Sequence, residues 1–474
     1  MTGTIRFVLN GRIVTVECGT GIPPTTTVLN YLRALPGHAG TKEGCAEGDC
    51  GACTVVLGEP SEEGVRYRAV DSCLLFLPML HGKELITVEG VRGPDGSLHP
   101  VQQEMVEAYG SQCGFCTPGI VMSLYALQMN SISPGEPEIR RALAGNLCRC
   151  TGYAPIIEAA KRACAPGRRR GGGSHPLLRE IRPESLDITA GGAHYRRPST
   201  LVEAVEYRRL HPDALVVNGA TDVALRVTKN HEVLPSVLDL SGIDELRGWS
   251  EGEGITIGSG LPIEDLACLS REALPALAEA LDVFASLQIR NLATVGGNLG
   301  TASPVGDLMP VLIAHEGVIV LRSSAGERRV PAAEFVTGYR RTALRRDELI
   351  AAVLIPPIPS AARLKSYKVS KRRDVDIAAL SAGFRVELSK DGRVTKIILA
   401  YGGMADRVSR ARRAEEHLMG GTWERPAVER AMQLIDTDFT PISDVRGSAA
   451  MRQIAARNLL LKFWADSTGN GGAA

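Results

Sequence analysis

Residues Thr41–Thr54, with the sequence TKEGCAEGDCGACT, bring three cysteines together on one short stretch. Cys45, Cys50 and Cys53 follow the spacing C-x4-C-x2-C, and Cys73 comes after nineteen intervening residues. This is the cysteine spacing of a plant-type [2Fe–2S] site. The glycines among the cysteines let the backbone fold closely around an inorganic core. The stretch therefore predicts an iron–sulfur loop rather than a buried or disulfide-bonded cysteine group.

A second cysteine set lies downstream, in the stretches SQCGFCTPG and GNLCRCTGY. Cys113 and Cys116 form a C-x2-C pair, and Cys148 and Cys150 form a C-x-C pair. Both pairs lie beside predicted helix starts, where the positive end of a helix favours thiolates. Four thiolates of this kind hold either an iron–sulfur cluster or one zinc ion, and the spacing alone leaves both open. The upstream loop favours iron, because one electron carrier needs a second carrier.

The composition excludes several classes of function. The chain has 474 residues, 44% of them hydrophobic and 23% charged, which is room for about three ordinary globular domains. Lys and Arg number 54 and Asp and Glu 53, so we expect no nucleic-acid partner. Because no membrane-length apolar run and no signal peptide is found, we expect a cytoplasmic protein that does not bind membranes. Eleven cysteines, eight of them in the two sets, fit a reducing compartment.

The first 165 residues predict a small sheet followed by helices. Residues 4–17 predict a hairpin around the turn Asn10-Gly11, and a helix over Val28–Leu35 precedes the cysteine loop. A strand over Thr54–Leu57 follows, and this order of elements is typical of a β-grasp domain. Prolines predicted at the first helical position open the later helices. These prolines are Pro118, Pro137 and Pro155.

The remaining sequence predicts a linker and two further regions. Residues 166–192, with Arg168–Arg170 and a run of glycines, predict a solvated interdomain linker. Beyond about Leu364 the sequence predicts strands over Phe384–Leu388 and Lys396–Tyr401, then helices. No ligand set is evident in that last region.

Two glycine- and hydroxyl-rich stretches lie between the linker and the last region. They are VVNGATD at Val216–Asp222 and ATVGGNLGTASPVGD at Ala293–Asp307. Both follow apolar runs, as expected of backbone that wraps a pyrophosphate. Neither is the G-x-G-x-x-G fingerprint of dinucleotide-binding folds, so the spacing alone is weak evidence.

Taken together and in this order, the two cysteine sets and the two glycine-rich stretches resemble the iron–sulfur and flavin half of the molybdenum hydroxylases. Within that family they are most similar to the small subunits of bacterial xanthine dehydrogenases. The resemblance implies an α+β multidomain chain. Its domains are a β-grasp [2Fe–2S] ferredoxin domain (1–92), a four-helix [2Fe–2S] domain (93–165), a linker (166–192), an FAD-binding domain of the vanillyl-alcohol-oxidase (PCMH) type (193–360) and a domain like the CO dehydrogenase flavoprotein C-terminal domain (361–474).

The resemblance also implies which residues bind each cofactor. The first [2Fe–2S] cluster falls on Cys45, Cys50, Cys53 and Cys73, and the second on Cys113, Cys116, Cys148 and Cys150. Gln112 is expected to face the molybdopterin of a partner, and Tyr339 the nicotinamide. The FAD contacts fall on Val216, Val217, Asn218, Gly219, Ala220, Thr221, Asp222, Val223, Phe284, Thr294, Val295, Gly296, Gly297, Asn298, Thr301, Asp307 and Lys368, with a branched aliphatic residue at Leu349–Ile350.

The implied activity is electron transfer within a xanthine dehydrogenase. Electrons from molybdenum on a partner subunit pass through two clusters to FAD and then to NAD⁺, because a flavin connects one-electron carriers to hydride transfer. We expect the molybdenum site and the purine pocket on the partner, a molybdopterin-binding large subunit. The same role in another molybdenum hydroxylase, acting on an aldehyde, nicotinate or an aromatic acyl-CoA, is the alternative.

Overall fold

The computed structural model describes residues 3–19, 21–61, 64–93, 95–167, 175–181 and 184–469. Its strands are β1 (Thr4–Leu9), β2 (Arg12–Glu17), β3 (Thr54–Ser61), β4 (Gly64–Asp71), β5 (Glu84–Ile86), β6 (Leu186–Ala190), β7 (Ala193–Arg197), β8 (Leu215–Val217), β9 (Ser236–Asp239), β10 (Trp249–Glu251), β11 (Ile255–Gly258), β12 (Val318–Ser323), β13 (Gly326–Pro331), β14 (Val336–Gly338), β15 (Arg341–Thr342), β16 (Leu349–Ile355), β17 (Arg363–Val369), β18 (Leu380–Leu388), β19 (Val394–Gly402) and β20 (Ser409–Arg410). Its α-helices are α1 (Val28–Ala34), α2 (Pro100–Glu107), α3 (Thr117–Asn130), α4 (Glu136–Leu143), α5 (Ala154–Ala163), α6 (His175–Leu178), α7 (Leu201–Leu210), α8 (Ala224–Thr228), α9 (Ile263–Ala273), α10 (Pro275–Asp282), α11 (Leu287–Arg290), α12 (Val295–Thr301), α13 (Leu308–Ala314), α14 (Ala332–Phe335), α15 (Arg412–Leu418), α16 (Arg425–Asp438) and α17 (Ala449–Thr468).

The chain divides into two compact units. The first comprises Met1–Tyr207, His211–Asp244 and Ala285–Ala293. The second comprises Arg208–Leu210, Glu245–Phe284 and Thr294–Ala474. Of the helices in the described ranges, none is both long and apolar enough to span a membrane.

The N-terminal sheet of the first unit has the predicted β-grasp arrangement. Its strand order is β2-β1-β5-β3-β4, with β1 and β5 parallel and the other neighbours antiparallel. The predicted turn joins β1 to β2, with positive φ at both Asn10 (48°) and Gly11 (79°), as this two-residue turn requires. The side chain of Thr27 caps α1 by accepting from the Asn30 amide at 3.2 Å. Apolar residues of β1, β3 and α1 share one core.

A four-helix region, α2 to α5, follows this sheet. The predicted starts of α3, α4 and α5 are correct within one residue, since Pro118, Pro137 and Pro155 occupy the second helical position rather than the first. Either position suits proline, because the first-turn amides have no acceptor within the helix. Apolar faces of the four helices form a second core, so the cysteine-bearing loops at their ends are carried by a packed scaffold.

The rest of the first unit contains a second sheet of order β6-β7-β9-β8. Strands β7, β9 and β8 are parallel, and β6 pairs antiparallel with β7. Strand β6 lies inside the segment predicted as a linker, because its alternating apolar residues Leu186 and Ile188 enter the core beside the N-terminal sheet. The basic and glycine-rich part of that prediction, residues 168–174, lies outside the described residues.

The second unit is built on two antiparallel sheets and a hairpin. One sheet has the order β10-β11-β16-β12-β13, the other β17-β18-β19-β20, and β14 pairs with β15. The predicted strands Phe384–Leu388 and Lys396–Tyr401 are correct and belong to β18 and β19. Helices α15, α16 and α17 supply the apolar faces that cover this last sheet.

Candidate iron–sulfur and flavin sites

The first cysteine set stands as two hydrogen-bonded thiol pairs. Cys45 is paired with Cys50 on the loop, and Cys53 with Cys73. Cys53 and Cys73 are buried, whereas Cys45 and Cys50 are partly exposed. The first set thus has one thiol pair in the interior and one nearer the surface.

Backbone amides of the loop are directed at a thiol sulfur. The amides of Glu47 and Asp49 donate to Cys45 Sγ at 3.4 and 3.3 Å. The hydrogen bond from Cys50, together with these amides, lowers the pKa of the Cys45 thiol to about 5, against the opposing effect of its partial burial. Positive φ at Ala46 (56°) and Gly48 (83°) turns the amides inward. The loop amides therefore favour the thiolate form of Cys45, whereas thiol pairing and burial raise the pKa of Cys50 and Cys53, and burial raises that of Cys73.

The second cysteine set is also arranged in two pairs. Cys113 is hydrogen-bonded with Cys150, and Cys116 with Cys148. Cys116 precedes the first residue of α3, as the sequence predicts, and the Cys148 amide donates to the Tyr153 hydroxyl at 2.8 Å. Cys113 and Cys150 are both exposed. One pair of the second set therefore faces solvent.

Pairs of thiols fit the geometry of a [2Fe–2S] cluster. Such a cluster takes four thiolates, two on each of its two irons, and each set here offers two pairs. Within the described ranges, no group of three or more His, Cys, Asp or Glu side chains converges as ligands of one metal ion. The donor chemistry and the pairing both suit iron and sulfide.

The loop after β8 has unused backbone donors. In the part of the chain that the structure describes, the amides of residues 218–222 have no hydrogen-bond acceptor. Ala220 has a φ of 58°, which turns successive amides towards one side, an arrangement that binds anions such as pyrophosphate. Gly219 is packed against the backbone of Leu292, where a Cβ would collide. This loop fits the predicted pyrophosphate role.

The second glycine-rich stretch differs from the prediction of a pyrophosphate-wrapping turn. Residues Val295–Thr301 form α12, and Thr294 caps it by accepting from the Gly297 amide at 3.2 Å. The amides of Val295 and Gly296 donate to Leu261 and Ser259. Because its first amides are used within the chain, this stretch offers side chains and a close glycine surface to a ligand rather than free amides.

Asp307 and Lys368 form a buried ion pair in the second unit. Lys368 Nζ lies 2.8 Å from Asp307 Oδ2 and donates to the Val283 carbonyl at 2.9 Å. The side chains are 13% and 6% exposed. Burial raises the pKa of Asp307, although Lys368 opposes that shift. Asp307 Oδ1 is buried and has no protein partner among the described residues, so it fits a ligand hydroxyl.

The other predicted residues lie in various settings. Tyr339 is 62% exposed at the end of the β14–β15 hairpin, beside Arg340 with a φ of 50°. Leu349 and Ile350 are buried at the start of β16. Gln112 is exposed next to Cys113. Thr301 closes α12 with a hydrogen bond to the Gly297 carbonyl, and Phe284 follows α10 and is partly exposed.

Lys229 was not predicted to be near a cofactor site. Its Nζ donates to the Cys45 carbonyl at 3.2 Å and pairs with Glu47 at 3.2 Å. The two segments are 184 residues apart in sequence, so no local pattern signals this contact.

Comparisons with known proteins identify the domains. Residues 87–161 match the [2Fe-2S] binding domain, residues 189–358 the FAD binding domain in molybdopterin dehydrogenase, and residues 365–467 the CO dehydrogenase flavoprotein C-terminal domain. These matches confirm the predicted iron–sulfur and flavin character of the chain and its mixed helix and sheet architecture.

Curated relatives and solved structures agree with the domain matches. The chain is 35% identical to a xanthine dehydrogenase of Emericella nidulans and 32% identical to a xanthine dehydrogenase/oxidase of Gallus gallus, over 98% and 97% of its length. It spans only 38% and 39% of those two relatives. A carbon monoxide dehydrogenase chain from Hydrogenophaga pseudoflava is 28% identical with a TM-score of 0.53, covering 56% of this chain and 93% of that one. The chain accordingly belongs to the molybdenum hydroxylase family, as an iron–sulfur and FAD electron-transfer unit of an oxidoreductase.

Proposed function

We propose that the chain is the electron-transfer subunit of a cytoplasmic xanthine dehydrogenase, which converts hypoxanthine and xanthine to urate. It receives electrons from the molybdenum centre of a molybdopterin-binding partner and delivers them to NAD⁺. The observation that carries the proposal is the set of eight thiols in four pairs. They lie in the same unit as the loop of residues 218–222, whose amides have no acceptor among the described residues. The substrate and acceptor rest on the relatives named xanthine dehydrogenase.

The proposed cofactors are two [2Fe–2S] clusters and one FAD, in four domains with the boundaries expected from the sequence. When bound, they supply one-electron transfer and its conversion to hydride transfer. The chain's own part is to hold them: the thiols ligate iron, the amides of residues 218–222 bind the pyrophosphate, and Asp307 accepts from a hydroxyl of the flavin side chain. Tyr339, exposed on its hairpin, contacts the nicotinamide.

An apolar groove beside the exposed thiol pair supports the proposed partner. It lies between α2 and α3, has a volume of about 480 Å³ and is lined by Met105, Val106, Tyr109 and Pro118, among others. Val106 is 64% and Tyr109 81% exposed, an unusual display of apolar surface for a soluble domain. Because Cys113 is also exposed, a partner in this groove would bring its electron donor close to the second cluster.

Two activity measurements, one on the isolated chain and one on its complex with the partner, test the proposal. The purified chain should oxidise NADH with a dye as acceptor, and it should oxidise xanthine only when combined with its partner. Gln112→Ala should slow xanthine-to-NAD⁺ turnover in the complex and leave NADH-to-dye turnover unchanged. Gln433→Ala, an exposed glutamine on α16, is the control and should change neither. Xanthine oxidation by the chain free of partner and molybdenum would overturn the assignment.

The nicotinamide contact has its own test. Tyr339→Ala should raise KM for NADH in the dye assay, and Tyr109→Ala should not. Tyr109→Ala should instead weaken association with the partner, so each exposed tyrosine serves as the control for the other. An unchanged KM in Tyr339→Ala would remove this residue from the NAD site.

A further inference from the structure

Three backbone segments of the first unit pack closely against one another at glycines, which have no side chain. Gly51, with a φ of 65°, lies on the first cysteine loop, Gly119 on α3, and Gly145 just before the second cysteine pair of the helical region. A Cβ on Gly51 would collide with the Gly145 carbonyl, and a Cβ on Gly119 with the Gly51 carbonyl. The Leu147 amide also donates to the Cys50 carbonyl at 2.9 Å. The two cysteine loops are therefore in direct backbone contact.

Three buried polar side chains form a hydrogen-bond network beside this contact. Ser123, Asn146 and Gln288 are 1%, 2% and 0% exposed. Asn146 Nδ2 donates to the Gly51 carbonyl at 3.0 Å and to Thr54 Oγ1 at 3.2 Å. Asn146 Oδ1 accepts from Ser123 Oγ at 2.7 Å and from Gln288 Nε2 at 2.9 Å, and Gln288 Nε2 lies 3.0 Å from Ser123 Oγ. With every position of the Asn146 amide used, the network specifies one geometry.

Gln288 belongs to a segment that also contacts the loop of residues 218–222. It lies on α11, and Asn291 of the same segment donates to the Ala69 carbonyl on β4 at 2.8 Å. Leu292 then packs its backbone against Gly219. One short segment thus contacts the cysteine loops at one end and residues 218–222 at the other.

We propose that Ser123, Asn146 and Gln288 are positioning residues that hold the two cluster loops at a fixed separation and join them to the loop of residues 218–222. The proposal rests on the proposed function, because it assumes clusters in both cysteine sets. With both clusters bound, the step it would serve is the transfer of one electron from a reduced cluster to the other, oxidised cluster, which oxidises the first and reduces the second without forming or breaking a bond. Since electron tunnelling weakens steeply with distance, a junction that fixes the separation also governs the rate.

Gln288→Ala in the full chain, purified with its clusters, tests the junction. The variant should keep the iron content of the unaltered chain and both cluster signals, but the spin–spin splitting between the two reduced clusters should narrow or vanish in its electron paramagnetic resonance spectrum. The Leu147 amide should exchange with solvent about tenfold faster, as expected for a local loss of about 1.4 kcal/mol. Both measurements are independent of NAD and of any substrate.

Gln128→Ala is the matched control, because Gln128 is a buried glutamine of α3 that donates to the Ala163 carbonyl at the end of α5. It should lower the thermal midpoint without altering the splitting. Ser123→Ala, a smaller change, should act in the same direction as Gln288→Ala and decides the question if that variant does not fold. If Gln288→Ala keeps its full iron content and shows unchanged spin–spin splitting and unchanged exchange of the Leu147 amide, the proposed junction is wrong. An equal change of both quantities in Gln128→Ala would also contradict it. An unaltered chain that lacks two cluster signals would instead overturn the proposed function.

Discussion

Replacing Asp307 by asparagine should separate its contribution to protein stability from its contribution to FAD binding. In the protein without FAD, the neutral amide of the Asp307→Asn variant would leave Lys368 buried without its counter-charge, and breaking such a pair costs about 3–5 kcal/mol. In the FAD complex, a charge-assisted hydrogen bond from the ligand to the free Oδ1 is also lost, at about 1.5–3 kcal/mol. That second loss corresponds to FAD binding weaker by about 10- to 150-fold.

The two contributions can be measured independently. Thermal unfolding of the FAD-free protein reports the ion pair, and titration of that protein with FAD reports the hydrogen bond. In the double variant Asp307→Asn/Lys368→Met the unpaired charge is gone, so stability should largely recover while FAD affinity stays low. The iron content should not change in any of these variants.

The neighbouring strand position supplies the control. Lys365, also on β17, pairs with Glu279 at 2.9 Å, and these side chains are 39% and 47% exposed. An exposed pair of this kind contributes about 0–1 kcal/mol, so Lys365→Met should leave both stability and FAD binding nearly unchanged. If Asp307→Asn bound FAD as tightly as the unaltered protein, Asp307 would have no contact with the cofactor and its free oxygen would need another explanation.

Three further predictions concern the thiol sets, a lysine beside the first set and a buried histidine. Cys150→Ser should remove one of two cluster signals and leave the other, because the two sets share no ligand; loss of both signals would contradict separate sites. Lys229→Gln removes a positive charge beside Cys45, so the potential of the first cluster should fall by about 40 mV or less in a redox titration; a rise would refute that reasoning. Burial lowers the pKa of His315 to about 4, although its hydrogen bond to the Val311 carbonyl opposes this. Since the unfolded chain then binds the extra proton between pH 6.5 and 4, the protein should lose up to about 3 kcal/mol of stability as pH falls through that range, and His315→Gln should flatten the dependence of the thermal midpoint on pH.

Local sequence patterns were sufficient for the elements that carry the cysteines. The Asn10-Gly11 turn needs two residues with positive φ, and few sequences other than this one supply them. Proline fixes the starts of α3, α4 and α5 within a residue because it removes a donor that the first turn does not use. These are short-range steric effects, and a sequence displays them directly.

Contacts between distant segments could not be predicted in the same way. Gln288 and Asn146 are 142 residues apart, and neither residue type signals burial or a partner. Strand β6 was hidden because a single short alternation next to a proline- and glycine-rich stretch resembles a linker. Likewise the stretch Val295–Thr301 is helical despite its glycines, because Thr294 caps it and its first amides find acceptors around Ser259 and Leu261. Such outcomes depend on tertiary packing that overrides local propensity.

The unequal exposure of the thiol pairs gives the electron path a direction. Cys113 and Cys150 are exposed and lie beside the apolar groove, whereas Cys53 and Cys73 are buried. A donor on another polypeptide can therefore approach the second set but not the inner pair of the first. A Cβ on Gly48 of the first cysteine loop would lie 3.4 Å from Ile289 Cδ1, so the first set borders the segment that leads from Gln288 to residues 218–222, the loop proposed to bind FAD. If electrons come from a partner, this difference in exposure favours the second set as the first acceptor and the first set as the carrier between it and the flavin.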